Sequence, residues 1–147
     1  MRLAVLSDIH ANLEALRAVL DEADARGADA VVCLGDVVGY GPDPEACVNL
    51  VRERSDATVM GNHDAAVALG AGTGILPPDG QAAAARHREW LSDDARAWLA
   101  GLPLVAVGHG VTLAHASPDR AGEWLRLDSF AECIPGARSH VMSFIDK

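Results

Sequence analysis

Three short apolar runs, each followed at once by a polar cluster and separated by stretches of helical periodicity, constrain this chain more than any other feature. Residues 1–6 form a short apolar run without polar alternation, which predicts a buried strand. Asn12 stands where a helix cap is expected, and Leu13, Leu16, Val19, Leu20 and Ala23 recur at helical spacing to about Arg26, with Gly27 as the stop. Residues 30–34 predict a second strand. Asp43-Pro44-Glu45 opens another helix, with a capping carboxylate and proline in its first turn, running to about Arg54. Residues 58–60 predict a third strand. The order β-α-β-α-β implies an α/β fold with a parallel sheet and right-handed crossovers.

Further along, the signals change. Residues 70–80 are rich in Gly and Pro and predict a flexible loop. Residues 81–90 and 93–99 predict helices, the second capped by Ser92, with Asp93 and Asp94 in its first turn. Residues 105–107 and 111–114 predict two strands joined at Gly108-His109-Gly110, a hairpin signal that gives His109 a plain turn role. From Ser117 onward the signals weaken.

The chain is 147 residues long, enough for one domain with a real core, and its 50% hydrophobic and 22% charged residues suit a globular protein. No stretch is long and apolar enough to span a bilayer, and the N-terminal apolar run meets Asp8 too soon for a secretory signal, so a cytoplasmic setting is expected. The formal net charge of −9 disfavours long nucleic acids as partners without excluding them, and leaves a small phosphate substrate open because bound metals would invert the local field. Cys33, Cys47 and Cys133 form no CxxC pair; Cys33 and Cys47 are expected as small core residues.

The chemistry-bearing residues follow the strands: Ser7-Asp8-Ile9-His10 after the first, Gly35-Asp36 after the second, Gly61-Asn62-His63-Asp64 after the third. In an open parallel sheet, ligands bind beyond the carboxyl ends of the strands, so the three clusters are expected to converge, and His115, which closes a later strand, can join them. Carboxylates with imidazoles suit a pair of first-row divalent ions, with manganese the leading choice and iron, zinc, nickel or cobalt as alternatives. Two ions roughly 3.5–4 Å apart can hold both oxygens of a displacement at phosphorus. Such a site needs one carboxylate that reaches both ions, and Asp36 is the natural bridge. Asp8 and His10 are two apart, so on a strand continuation they point the same way. Asn62 offers a neutral carbonyl oxygen, and His63 beside it is a candidate proton donor.

Asp8-Ile9-His10, Gly35-Asp36-Val37-Val38-Gly39 and Gly61-Asn62-His63-Asp64 match in order the first three motifs of the calcineurin-like metallophosphoesterase superfamily. Leu113-Ala114-His115-Ala116-Ser117-Pro118 resembles the fourth. The flanking Ser7-Asp8-Ile9-His10-Ala11-Asn12-Leu13 and Gly39-Tyr40-Gly41-Pro42-Asp43-Pro44 are similar to the small bacterial and archaeal phosphodiesterases of that group. The resemblance runs to about Leu127. It implies an αββα sandwich with the second sheet incomplete. It also implies that Asp8 and His10 bind one metal, Asp36 bridges, and Asn62 and His115 bind the other. His63 would contact the phosphate and assist the leaving group, Asp64 would orient it, and a metal-bridging hydroxide would be the nucleophile.

The family's fifth motif, Gly-His-Thr-His or close to it, does not appear before Lys147; His140 is the only later histidine and its surroundings do not match. A single domain over 1–147, truncated or altered after about residue 128, is therefore expected. A neighbouring chain, in a homo-oligomer for example, could complete the site, or the metals could bind weakly. Monoester-directed protein phosphatases of the superfamily carry Gly-Asp-x-x-Asp-Arg-Gly in the second motif and another Arg just after the third; here Gly39-Tyr40-Gly41 and Asp64-Ala65-Ala66 stand instead. Without those arginines the bidentate grip on a dianion is reduced, so a phosphodiester is the expected substrate, with a dinucleoside polyphosphate as a further option. The alternative is a non-catalytic binding module or an inactive fragment on the same fold. Tyr40 either lines the substrate mouth or packs on its loop. His87, among Arg86, Arg88 and Glu89, is expected on a solvated helix face, and Trp90, Trp98 and Trp124 are expected to pack.

Overall fold

The computed structural model describes residues 1–124. Its first half is the expected alternation. β1 (Leu3–Leu6) and β2 (Ala30–Cys33) pair in parallel from Leu3 with Ala30 to Leu6 with Cys33, and β3 (Ala57–Thr58) continues the sheet in the order β1-β2-β3. β2 is the central strand and all four of its residues are buried, as a strand covered on both faces requires.

Helix α1 (Leu13–Ala25) starts where Asn12 accepts the Ala15 N–H at 3.0 Å, and it buries Leu16, Leu20 and Ala23. Helix α2 (Pro44–Arg54) has proline at its first turn. The expected capping by the Asp43 carboxylate does not occur; the Asp43 carbonyl accepts the Cys47 N–H at 3.0 Å, and the proline has no N–H that needs a cap.

The middle of the chain differs from the sequence expectation. β3 keeps only two residues, because Met60 turns away and donates its N–H to Pro103 at 2.8 Å. A helix, α3 (Asn62–Leu69), follows directly. It has no amphipathic stripe to betray it, since His63, Asp64, Ala65, Ala66 and Val67 are all buried. The expected loop over 70–80 contains a 3-10 turn at Thr73–Ile75, and its last residues already belong to α4 (Pro78–Trp90), begun by a proline at the first turn. Helix α5 (Asp93–Ala100) is capped by Ser92, whose Oγ accepts the Ala95 N–H at 3.1 Å.

β4 (Val105–Gly108) and β5 (Val111–Ala114) form an antiparallel pair. Their two-residue loop, His109-Gly110, has φ of 53° and 79°, as the twist of a tight hairpin demands. Leu113 of β5 joins Val32 and Val59 in one apolar cluster, so the hairpin packs on the first sheet. Among the described residues the fold is thus mixed α/β with two sheets. A larger cluster, from Leu16 and Leu20 of α1 through Val48 and Val51 of α2 to Leu99 of α5, fills the other side. Cys33 and Cys47 are buried free thiols, pushed up to about 12 chiefly by burial, and fit a core role. Among the described residues no helix is long and apolar enough to cross a membrane. Cys133, His140 and the altered segment expected after about residue 128 lie outside the described residues.

Candidate metal centre

The polar clusters after β1, β2 and β3 meet beyond the carboxyl ends of the parallel strands. Their backbone is held by cross-links between loops: Asp8 N–H to Gly35 O at 3.1 Å, His10 N–H to Asp36 O at 2.9 Å, and Ala11 N–H to Val37 O at 2.9 Å. Asp8, His10, Ala11, Asp36 and Tyr40 all have φ between 49° and 60°. Left-handed conformations at non-glycine residues cost roughly 1–3 kcal/mol each and persist only where the surroundings enforce them, and such strain concentrates at functional sites. Glycine is required where the loops touch: a Cβ on Gly61 would lie 2.1 Å from Asp36 Oδ1.

Two buried carboxylates organise the centre differently. Asp64, fully buried on α3, accepts four backbone N–H groups: Asp36 (2.8 Å) and Gly61 (3.0 Å) on Oδ2, Val37 (2.9 Å) and Val38 (3.2 Å) on Oδ1. Burial pushes its carboxyl up, while these donors favour the ionised form. Its expected role of orienting His63 is therefore corrected. Its oxygens are committed to the Asp36–Val38 loop and to the start of α3, and the buried His63 Nδ1 has no hydrogen-bond partner. Asp64 shapes the loop that carries Asp36.

Asp36 is 3% exposed and receives one hydrogen bond, from His63 N–H to Oδ1 at 2.9 Å. Its Oδ2 faces His10 Nε2 at 3.8 Å and His115 Nε2 at 3.6 Å. Burial, then the neighbouring Asp64, push the carboxyl up to about 8 against the His63 N–H. Around it the structure brings together the sequence-predicted residues. Ligand atoms of His10, Asp36 and His63 lie within 4.8 Å of one another, as do those of Asp8, Asp36 and His115; Asp36 is common to both groups. His10 Nε2 is 3.7 Å from Asp8 Oδ1, and His115 Nε2 is 3.0 Å from Asn62 Oδ1. Asp8 is the most exposed of the set, and its Oδ2 accepts the Ser7 hydroxyl at 2.6 Å.

The donor set fits cations. Val38 O at 3.2 Å and Leu34 O at 2.9 Å can only accept, so they place the proton on Nδ1 of His10 and of His115. The Nε2 atoms then face carboxylate and amide oxygens, His10 toward Asp8 and Asp36, His115 toward Asp36 and Asn62. Imidazole nitrogens and oxygens gathered round one buried carboxylate suit a cation, and a ring fixed by a carbonyl on its far nitrogen is the usual arrangement of a metal-binding histidine. His63 Nδ1 is enclosed as well: a Cβ on Gly39 would meet it at 2.5 Å. Burial, then His10 and His115, hold the His63 imidazole down to about 4.

A cleft of roughly 630 Å³ opens onto this centre. Asp8, Asn62 and His115 form its polar floor, and Ile75, Pro77 and Trp124 contribute apolar wall. Trp124 therefore lines the cleft as well as packing edge-on against His115.

His87 departs most from expectation. It is 2% exposed rather than solvated. Its Nδ1 accepts the Gly39 N–H at 3.0 Å and its Nε2 donates to Gly41 O at 2.8 Å. The burial follows from the stripe Gly80, Ala84 and His87 along α4, whose small residues let the helix approach the loop. That i, i+4, i+7 spacing was the signal available in the sequence.

The model of the family described as calcineurin-like phosphoesterase matches residues 1–134. An uncharacterized protein of Methanocaldococcus jannaschii is 37% identical over 126 residues, 83% of this chain and 52% of its own length. The structure of a metallophosphoesterase from Sphaerobacter thermophilus superposes with a TM-score of 0.67 at 38% identity, over 82% of this chain and 49% of that one. That of a candidate diadenosine tetraphosphatase gives 0.59 at 29% identity, over 86% and 56%. The chain thus spans about half the length of these relatives. It belongs to the calcineurin-like phosphoesterase family.

Proposed function

We propose that this chain supports the metal-dependent hydrolysis of a phosphodiester at a centre of two divalent ions. The observation that carries the reading is the shared position of Asp36, whose Oδ2 faces Nε2 of both His10 and His115, with Asp8 beside the first and Asn62 beside the second. Asp8, His10 and Asp36 would hold one ion, and Asn62, His115 and Asp36 the other, with manganese the first ion to test. Such ions, when bound, supply Lewis acidity and a water that ionises near neutral pH.

The chain's own residues supply the rest. Asp64 sets the Asp36–Val38 loop. His63 stands beside Asp36 at the edge of the centre, and its imidazole is neutral until an anion arrives. A phosphate ester beside the ring favours the protonated form, which can then stabilise the phosphoryl oxygens and deliver a proton to the leaving oxygen. No Lys or Arg lines the described part of the cleft, which suits a singly charged diester better than a dianionic monoester. The candidate diadenosine tetraphosphatase among the structural relatives supports a substrate in which phosphorus links two groups.

The test is hydrolysis of bis(p-nitrophenyl) phosphate by the purified chain with and without Mn²⁺, beside His63→Ala. Mn²⁺-dependent turnover is expected, falling about 10²–10⁴-fold in the variant while metal content stays the same. Undiminished turnover in His63→Ala would remove His63 from the mechanism. A folded, metal-loaded wild-type chain without turnover would favour a non-catalytic binding role.

A further inference from the structure

The Gly39-Tyr40-Gly41 loop is a bridge between the metal centre and helix α4. On one side, Tyr40 packs against both imidazoles of the centre, with ring centroids 4.9 Å from His10 and 4.7 Å from His63. On the other, His87 bonds the residues on either side of Tyr40. The chemistry of this clamp is unambiguous. The Gly39 N–H can only donate and Gly41 O can only accept, so His87 is a neutral ring with its proton on Nε2, and burial lowers its pKa in keeping with that form. The loop that His87 bonds carries Tyr40 at φ 60°, a conformation rare for a tyrosine. The His87 ring is itself stacked on Trp90 at 5.9 Å.

Tyr40 is 44% exposed, so part of its ring reaches the solvent at the edge of the centre. It also fits α4 closely: a Cβ on Gly80 would lie 3.0 Å from the Tyr40 hydroxyl and 3.3 Å from His63 Cε1. A buried histidine whose two nitrogens both serve one three-residue loop is more than a core filler. We propose that His87 is a positioning residue for this centre: by bonding Gly39 and Gly41 it holds Tyr40 against His10 and His63, where the phenol meets the phosphate ester. The role of the phenol rests on the phosphodiesterase reading; the clamp itself does not.

Tyr40 is the only tyrosine in the chain, so incorporated 3-fluorotyrosine gives a single fluorine resonance that reports its placement. His87→Phe keeps a ring to stack on Trp90 and removes both hydrogen bonds. In that variant the resonance is expected to move toward the position of free fluorotyrosine. Mn²⁺ binding should be unchanged, and KM for bis(p-nitrophenyl) phosphate should rise about tenfold with a smaller change in kcat, the pattern of lost substrate binding. His87→Gln, which retains one donor and one acceptor, should lie between the two and serves if the phenylalanine variant does not fold. Tyr40→Phe should reproduce the rise in KM. An unmoved resonance in a folded His87 variant overturns the clamp. A moved resonance with unchanged KM overturns the role of the phenol. The fluorine measurement needs no turnover, so a wild-type chain that hydrolysed nothing would count against the phosphodiesterase reading and leave the clamp to be decided by the resonance.

Discussion

Asp64 and Asp36 are both aspartates out of reach of solvent, yet the regions around them are opposites. Asp64 is surrounded by donors: four backbone N–H groups fill both of its oxygens. Asp36 has one backbone donor and is otherwise faced by Nε2 of His10 and of His115. The first region is complete as it stands and the second asks for positive charge. Burial of a carboxylate does not by itself mark a functional group; the polarity of what surrounds it does.

The contrast is broken most directly by replacing each acid with its amide. In Asp64→Asn an NH₂ group must face two backbone N–H donors, whichever way the amide turns. A loss of about 3 kcal/mol or more in urea unfolding is expected, and wild-type stability would show that Asp64 is not the anchor. In Asp36→Asn the amide oxygen can still accept the His63 N–H, and the neutral amide avoids ionising a buried group held up to about 8, so the metal-free variant should be at least as stable as wild type at pH 8.

Metal sharpens the comparison next. Mn²⁺ at a hundredfold excess over its Kd should stabilise wild type by about 2.7 kcal/mol per site in thermal unfolding and stabilise Asp36→Asn clearly less. Equal stabilisation of both would place the ion elsewhere.

The smallest effect is on pH. In the metal-free chain Asp36 keeps its proton up to about 8, whereas an unfolded aspartate loses it near 3.8. The unfolded state thus binds fewer protons across that interval, and Asp36 makes stability fall as pH rises. His63, held down to about 4 from 6.5, works the other way but only below about 6.5. Between about pH 6.5 and 8 His63 no longer opposes Asp36, and stability should fall by about 1–2 kcal/mol. The same titration of Asp36→Asn should fall less steeply there. A wild-type profile that rises through this window would mean that Asp36 is ionised without a cation.

Much of the parallel sheet and of its polar edge was readable from the sequence. The runs that became β1 and β2 have no polar alternation, and Asn12 and Ser92 cap helices by a mechanism written in the residue type. The placement of Asp8, Asp36 and Asn62 after strands followed from the topology. Helix α3 was not readable, because a helix buried on several faces leaves no periodic stripe. The resemblance implies that Asp64 orients His63, whereas its carboxylate, at the third position of that helix, closes back on Gly61 and the Asp36 loop. His87 was hidden by its charged neighbours Arg86, Arg88 and Glu89. Only the wider spacing from Gly80 through Ala84 shows the face it shares.

The most direct test of a shared Asp36 is the number of Mn²⁺ ions bound per chain, measured by calorimetric titration together with metal analysis of the dialysed protein. The account predicts two ions for wild type and the loss of at least one in Asp36→Asn. Two ions in the variant would contradict it.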